Sequence, residues 1–266
     1  MSSPRYILTL ACTDRPGIVG AVGTLLAEAG CNIVESAQFG DVDTGRFFMR
    51  VVFEPVRSGI DSPVIERAFA AVASRFGMEW KLHDAHARPR VLILVSKQDH
   101  CLNDLLYRAK VGALPMTVAA IVSNHADTRP LADAYGIAFH HLPVTRDTKP
   151  AQEAALAALI DEARVELVVL ARYMQVLSDD LARHLAGRAI NIHHGLLPSF
   201  KGARPYHQAY DRGVKLIGAT AHYVTSDLDE GPIIEQEVAR VDYNMRVDDL
   251  VALGIALLAG RQLTLA

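Results

Sequence analysis

The chain has 266 residues, half of them hydrophobic and 21% charged, and its formal net charge at pH 7 is −3. This composition excludes wholesale disorder, and the near-neutral charge gives no electrostatic footprint for nucleic acid or an anionic membrane. The length predicts one large domain or two modest ones.

Three features of the sequence indicate a cytoplasmic protein. The longest apolar runs, 91–95 and 167–171, are far shorter than the ~20 residues that span a bilayer, so we expect no membrane partner. The N-terminus lacks the layout of a signal peptide. Cys12, Cys31 and Cys101 fit neither a disulfide framework nor a zinc site, which favours a reducing compartment.

The first 84 residues predict a small α+β domain. Proline at Pro63 suits the first turn of a helix, and Gly30 ends the helix before it. The predicted strands are 6–11, 32–39, 46–53 and 78–82, and the predicted helices are 18–29 and 62–76. This βαββαβ order is a ferredoxin-like arrangement. The polar segment 85–89 ends at a proline, and we interpret it as a linker.

Residues 90–266 predict a second domain of a different kind, in which strands alternate with helices. The predicted strands are 91–95, 117–122, 167–171, 189–192, 217–224 and 233–241, and the predicted helices are 102–109, 151–163, 178–185 and 247–259. Near-continuous apolar strands between helices are typical of a parallel sheet covered on both faces. The fold class is therefore α/β, with a Rossmann-like, mostly parallel sheet in this domain.

Glycine spacing gives little evidence of a nucleotide site. Gly17, Gly20 and Gly23 are spaced three apart, which is weak for a dinucleotide-binding loop. We interpret the spacing as close packing of a helix against a strand.

A cluster of polar residues ends the predicted strand 189–192. Asn191 and His193 are two residues apart, so on a strand their side chains share one face, and His194 points to the other. An amide donor beside an imidazole can hold a developing oxyanion and move a proton. The alternative is that these are satisfied polar groups at a strand end.

The acidic segment 225–232 could supply a carboxylate to the same site. A carboxylate that reaches His193 would orient it and favour its protonated form. An ordinary acidic hairpin loop is the alternative. A metal site built from His193, His222 and Asp229 is conceivable, but no helical or turn spacing enforces it, and we predict no metal.

These segments carry a family resemblance. Asn191–His193, followed downstream by Leu228–Pro232, resembles the formyltetrahydrofolate-dependent formyltransferase fold. Segments 123–125, 139–143, 171–178 and 201–209 are similar to those of the formyltetrahydrofolate deformylase family, its hydrolase branch. Thr13–Val19 resembles the ligand-loop signature of an ACT domain, and this family joins an ACT domain to a formyltransferase-like domain.

The resemblance implies an enzyme that hydrolyses 10-formyltetrahydrofolate to formate and tetrahydrofolate, without a cofactor, in one-carbon metabolism and purine biosynthesis. It implies Asn191, His193 and Asp229 as the catalytic residues. The residues expected to bind the folate are Met174, Gln175, Leu177, His222, Thr225 and Leu228.

The ACT resemblance implies regulation by an amino acid, with glycine or methionine as the candidate effector. The residues expected at the effector site are Asp14, Gly17, Ile18 and Asn32. Because ACT sheets pair side by side, a homo-oligomer is also expected.

The loop 96–103 favours hydrolysis over transfer to a phosphorylated amine. It contains no glycine, and Asp99 would repel a phosphate, although Lys97 is a feature against this argument. Two alternatives remain. One is a formyltransferase with an amine acceptor such as glycinamide ribonucleotide, and the other is a non-catalytic sensor of folate and amino acids.

Overall fold

A computed structural model describes residues 4–57 and 59–260 of the chain. The chain divides into two units, Met1–Ala87 and Arg88–Ala266. No helix in the described residues is long and apolar enough to cross a membrane.

The first unit is a four-stranded antiparallel sheet with two helices. Its elements are β1 (Tyr6–Thr13), α1 (Ile18–Glu28), β2 (Cys31–Asp41), β3 (Arg46–Pro55), α2 (Ser62–Phe76) and β4 (Glu79–Asp84). The strand order is β2-β3-β1-β4, so the predicted βαββαβ arrangement is confirmed. Alternate residues of β1, from Tyr6 to Cys12, are buried in one core with apolar residues of both helices. The Asp61 side chain caps α2 by accepting a hydrogen bond from the backbone of Val64.

The glycines of α1 do not pack closely, and the prediction from their spacing was wrong. A Cβ atom added at Gly20 or Gly23 would meet no atom within 4 Å. Gly17 is needed for another reason, because its φ of +96° lies in the left-handed region at the start of α1. The backbone conformation, and not helix packing, therefore explains one of the three glycines.

Replacing these glycines should have opposite effects on the stability of the first unit. Gly20→Ala should raise the free energy of unfolding by about 0.5–1 kcal/mol, because alanine loses less backbone entropy in a helix. Gly17→Ala should lower it by about 1–2 kcal/mol, because an L-residue is strained at that φ. Trp80 is the only tryptophan and packs edge-on against Phe69, so denaturant unfolding followed by its fluorescence reports on this unit. Equal shifts of the same sign would contradict this account.

The second unit is a seven-stranded α/β sheet. Its strands are β5 (Arg90–Val95), β6 (Thr117–Ser123), β7 (Phe139–His141), β8 (Leu167–Leu170), β9 (Ala189–His193), β10 (Leu216–Tyr223) and β11 (Ile233–Arg240). Its helices are α3 (His100–Lys110), α4 (Arg129–Ala134), α5 (Lys149–Glu162), α6 (Asp179–His184), α7 (Pro205–Asp211) and α8 (Val247–Gly260). The strand order is β11-β10-β9-β8-β5-β6-β7. The strands from β9 to β7 are parallel, and β10 and β11 run antiparallel to their neighbours.

Both faces of this sheet are covered, as the apolar strands predicted. Val91, Ile93 and Val95 of β5 pack on one side with residues of α3. Leu92 and Leu94 pack on the other side with residues of α5 and α6. The mostly parallel, Rossmann-like class is confirmed. The sequence did not predict α4, α7 and β7, which have only three to seven residues and so carry too little periodicity.

The change of strand direction positions the candidate site. β9 is parallel to β8 on one side and antiparallel to β10 on the other. In the β9–β10 register, Asn191 lies opposite His222 and His193 lies opposite Thr220. The end of β9 is therefore a point where the carboxyl edge of a parallel sheet, the usual ligand position, meets an antiparallel neighbour.

Candidate active site

A cavity of about 370 Å³ lies where β8 and β9 end, beside the connection between β10 and β11. The structure places around it every residue that the sequence predicted for catalysis or folate binding. These residues are Met174, Gln175, Leu177, Asn191, His193, His222, Thr225, Leu228 and Asp229. The cavity lies wholly within the second unit.

Asp229 stands between two imidazoles at the base of this cavity. Its Oδ2 atom is 3.5 Å from Nδ1 of His193, and its Oδ1 atom is 3.6 Å from Nε2 of His222. The backbone N–H of Gly202 donates a 2.8 Å hydrogen bond to Oδ2. All three side chains are 5% exposed or less. One buried carboxylate can therefore act on both histidines.

The hydrogen bonds of His193 assign the position of its proton. Nε2 is 2.8 Å from the carbonyl oxygen of Phe200, which can only accept, so Nε2 carries the hydrogen and donates it. In the neutral ring Nδ1 is then unprotonated and presents its lone pair beside Asp229. Nδ1 is the nitrogen that can take up a proton, and the carboxylate stabilises the imidazolium that results.

The pKa values of this pair follow from burial and charge. Burial lowers the pKa of His193, although the carboxylate of Asp229 and the carbonyl of Phe200 act in the opposite direction. Burial alone raises the pKa of Asp229. The close imidazole of His222, the N–H of Gly202 and the charge of His193 outweigh burial, so the pKa stays below its usual value. Near neutral pH the pair is a neutral base beside an ionised carboxylate.

His193 should titrate below its usual pKa of about 6.5. Asp229→Asn should lower the pKa of His193 further, because the mutation removes the charge that favours the imidazolium. NMR titration of the His193 imidazole resonances in the wild type and in the variant measures both values. A His193 pKa that rises in the variant would contradict the assigned electrostatics.

Asn191 reaches the same site from the strand next to His222. Its Nδ2 atom donates to Nε2 of His222 over 3.1 Å, while Nδ1 of His222 donates to the backbone carbonyl of Tyr223 over 2.9 Å. His222 is thereby held as the tautomer protonated at Nδ1. The amide of Asn191 has a second N–H, which is available to a negative charge forming in the cavity.

The segment that carries Asp229 has little conformational freedom. Asp229 has a φ of +56°, a left-handed conformation that is strained for aspartate and is often found at functional sites. A Cβ atom at Gly231 would lie 1.7 Å from the carbonyl oxygen of Tyr223, so only glycine fits there. The backbone of the turn therefore fixes where the carboxylate points.

The mouth of the cavity is apolar and accessible. Met174, Val176 and Leu228 line the cavity and are each about half exposed, at 51%, 55% and 50%. Large apolar side chains that stay exposed beside polar groups are typical of a ligand site. They form walls between which a flat heteroaromatic ring could be held.

Two residues line the cavity although the sequence did not predict them there. The strand alternation predicted that His194 points away from Asn191. His194 lines the cavity, with its ring centroid 5.5 Å from that of His193. β9 ends at His193, so strand alternation no longer applies to the next residue. Arg172 also lines the cavity, and the sequence assigned it no role beyond its place in the segment 171–178.

The residues predicted for an effector lie in the first unit and differ in accessibility. Asp14, Gly17 and Asn32 are exposed, and Asn32 pairs with Glu54 in the β2–β3 ladder. Ile18 is 2% exposed and belongs to the core, so its side chain is not available to a ligand in this structure. The sequence could not separate Ile18 from its exposed neighbours, because a ligand-loop signature does not report burial.

Within residues 4–57 and 59–260, no group of three or more His, Cys, Asp or Glu side chains has an arrangement suited to a metal ion. The carboxylate of Asp229 comes within 3.5–3.6 Å of His193 and of His222, but the hydrogen bonds of these three side chains go to other residues, as described above.

Comparison with known proteins gives matches to both units. The ACT domain model matches residues 6–66, and the formyl transferase model matches residues 89–253. The formyltetrahydrofolate deformylase of Corynebacterium sp. (strain P-1) is 53% identical over 254 residues, which cover 94% of this chain and 87% of the relative. The formyltetrahydrofolate deformylase of Escherichia coli (strain K12) is 40% identical over 253 residues, with coverage of 95% and 89%.

Solved structures of two kinds are similar to this chain. The formyltetrahydrofolate deformylase from Burkholderia mallei superposes with a TM-score of 0.88 at 52% identity, covering 96% of this chain and 90% of that one. Glycinamide ribonucleotide transformylase 1 from Symbiobacterium toebii gives a TM-score of 0.61 at 32% identity, covering 67% of this chain and 86% of that one. Likeness to the deformylase thus spans nearly the whole chain, and likeness to the transformylase spans two thirds of it.

Proposed function

The chain belongs to the formyltetrahydrofolate deformylase family, and on that premise we propose that it hydrolyses 10-formyltetrahydrofolate to formate and tetrahydrofolate. The observation that carries the proposal is the grouping of Asn191, His193 and Asp229 on one cavity. The family match supplies the substrate, and the side chains present supply an amide donor, a base and a carboxylate.

The reaction follows from the positions of these groups. Water attacks the formyl carbon, and Nδ1 of His193 takes up its proton while Asp229 stabilises the imidazolium. The carbonyl oxygen becomes an oxyanion that accepts a hydrogen bond from the amide of Asn191. The tetrahedral intermediate then breaks its bond to N10 of the folate, which receives the proton from His193. The formic acid so formed loses its remaining proton to solvent, and formate and tetrahydrofolate leave.

We assign the apolar walls of the cavity to the pterin ring of the folate. Met174, Gln175 and Leu177 follow β8, and Thr225 and Leu228 belong to the segment between β10 and β11. A ring between these walls places N10 toward the polar base of the cavity. His222 then acts through Asp229 and Asn191, with which it is in contact.

Release of formate without an acceptor tests this function. The purified full chain is incubated with 10-formyltetrahydrofolate in an amine-free buffer, and formate and tetrahydrofolate are both quantified. Equal amounts of the two products support hydrolysis. Turnover only after glycinamide ribonucleotide is added would make the chain a transferase. No turnover in either case, with folate-dependent thermal stabilisation, would make it a sensor.

The first unit serves regulation in this proposal, with residues 1–84 as the ACT domain, 85–89 as linker and 90–266 as catalytic domain. The loop from Asp14 to Gly17, together with Asn32, would bind glycine or methionine. The loop and Asn32 are both exposed in this unit. Cys12, Cys31 and Cys101 are buried free thiols, which supports a cytoplasmic location.

β2 is the strand through which we expect the chain to form a homo-oligomer. It lies at the edge of its sheet, has 11 residues, and is exposed on both faces over most of its length. A long, exposed edge strand favours pairing with another chain. Phe39, which is 63% exposed, lies on it, whereas Val42, 94% exposed, lies just past its end.

Phe39→Lys should therefore shift the protein toward a monomer, and Val42→Lys should leave the oligomer unchanged. Light scattering coupled to size-exclusion chromatography measures the mass of each variant. A wild-type monomer, or equal effects of the two variants, would contradict pairing through β2.

A further inference from the structure

Arg172 is fixed at the wall of the cavity by contacts on both its backbone and its side chain. It follows β8 with a φ of +62°, and its carbonyl oxygen accepts a hydrogen bond from the N–H of Ser96 over 3.2 Å. Nε donates to Oε1 of Gln98 over 2.9 Å, and Nη2 donates to the same oxygen. Strain at such a position indicates that its placement matters.

The third nitrogen of this guanidinium is unused. Nη1 of Arg172 is buried and makes no hydrogen bond to any residue in the described part of the chain. No Asp or Glu among those residues forms a salt bridge with Arg172. Gln98 supplies a neutral oxygen only. The rest of the guanidinium is partly exposed, but a buried N–H of a charged group without an anionic partner is unfavourable, and a carboxylate ligand would relieve that cost.

A second unpartnered nitrogen belongs to the same surroundings. Nε2 of His100, the first residue of α3, is buried and makes no hydrogen bond to the described residues. Burial and the charge of Arg172 lower the pKa of His100, and they lower the pKa of His194 to about 3. Both rings are therefore neutral near pH 7, so Arg172 carries the positive charge. We call Arg172 and His194, the two of these residues that line the cavity, the Arg172 cluster.

We propose that the Arg172 cluster binds the formate product as a carboxylate subsite of the cavity. Arg172 and His194 line the cavity that holds His193, so the subsite lies on the path of a group released there. A guanidinium N–H matches a carboxylate oxygen in geometry and charge. Formate is the smallest carboxylate and needs no room for a side chain. This inference rests on the proposed function, because hydrolysis is what generates formate.

Direct binding of formate, without folate, tests the subsite separately from catalysis. NMR titration with carbon-13 formate at constant ionic strength should give saturable binding to the full chain. Arg172→Met should weaken it roughly 10- to 100-fold, the value of a hydrogen bond to a charged group. Arg172→Lys keeps the charge and should lie between the two. Formate should also inhibit hydrolysis by the wild type, and less so by Arg172→Met.

Arg164→Met is the matched control. Arg164 has a φ of +49°, so it shares the left-handed backbone of Arg172, but it is exposed and lies off the cavity. The Arg164→Met variant should bind formate with the same affinity as the wild type. If Arg172→Met fails to fold, judged by its thermal unfolding, Arg172→Lys and His194→Gln carry the comparison, with weaker binding expected for both.

Three outcomes would overturn the proposal: no saturable binding by the wild type, unchanged affinity in Arg172→Met, or displacement of formate by tetrahydrofolate. Displacement would assign the cluster to a carboxylate of the folate itself. The two proposals can fail separately. If the protein releases no formate but binds formate in a way that depends on Arg172, the subsite stands and the proposed hydrolysis does not.

Discussion

Asp229→Asn should lower kcat for formate release by roughly 10²- to 10⁴-fold, the range for loss of acid–base assistance. Asparagine keeps the shape of the side chain, and its oxygen can still accept the hydrogen bond from Gly202. The charge is lost, however, 3.5 Å from Nδ1 of His193, so the imidazolium formed during attack has no counter-charge. The effect should fall on kcat more than on KM, because the charge on His193 develops only as water attacks.

Glu230→Gln is the matched control for that variant. Glu230 is the next residue in the same segment, but its partner is Lys201 and it does not line the cavity. Steady-state kinetics on both variants should show near wild-type kcat for Glu230→Gln. Activity of Asp229→Asn within a few fold of the wild type would remove the carboxylate from the mechanism.

Asn191→Ala should lower kcat by about 10²- to 10³-fold, the cost of losing one donor to an oxyanion. The mutation also removes the hydrogen bond to Nε2 of His222, so that ring is then held only through Nδ1, by the carbonyl of Tyr223. Nε2 of His222 lies 3.6 Å from Oδ1 of Asp229, so the ring that packs beside the carboxylate is less firmly placed. The variant should therefore lose oxyanion stabilisation and part of the alignment of Asp229.

Ile190→Val controls for disturbance of β9. Ile190 is buried, lies beside Asn191 on the strand and does not line the cavity. The Ile190→Val variant should lower the free energy of unfolding by about 0.5–1.5 kcal/mol and leave kcat nearly unchanged. Equal losses of kcat in the two variants would assign the effect to the strand, and not to the amide.

The parts of the site that lie on regular strands could be predicted from the sequence. Asn191 and His193 share one face because they are two residues apart, and both line the cavity. Periodicity also gave the ferredoxin-like order of the first unit and the apolar strands of the second. These predictions rest on local geometry, which a strand or helix repeats along its length.

The remaining contacts depend on how distant segments meet. The carbonyl of Phe200 contacts His193, and the N–H of Gly202 contacts Asp229. Both are backbone groups, which every residue type has, so the sequence gives no signal for either contact. Arg172 contacts Gln98 across two loops, and its left-handed φ cannot be read from an arginine in a sequence. The glycine spacing at α1 failed in a different way. It is regular along the sequence, but Gly20 and Gly23 make no close packing contact in the structure.

The antiparallel pairing of β9 with β10 also bears on how such an enzyme could arise. Asn191, His193, His222 and Asp229 all lie in one uninterrupted stretch of the second unit. A single genetic exchange with both breakpoints outside that stretch would carry the whole acid–base set into another chain. The N-terminal unit could then be gained, lost or replaced in descent without reassembling the chemistry.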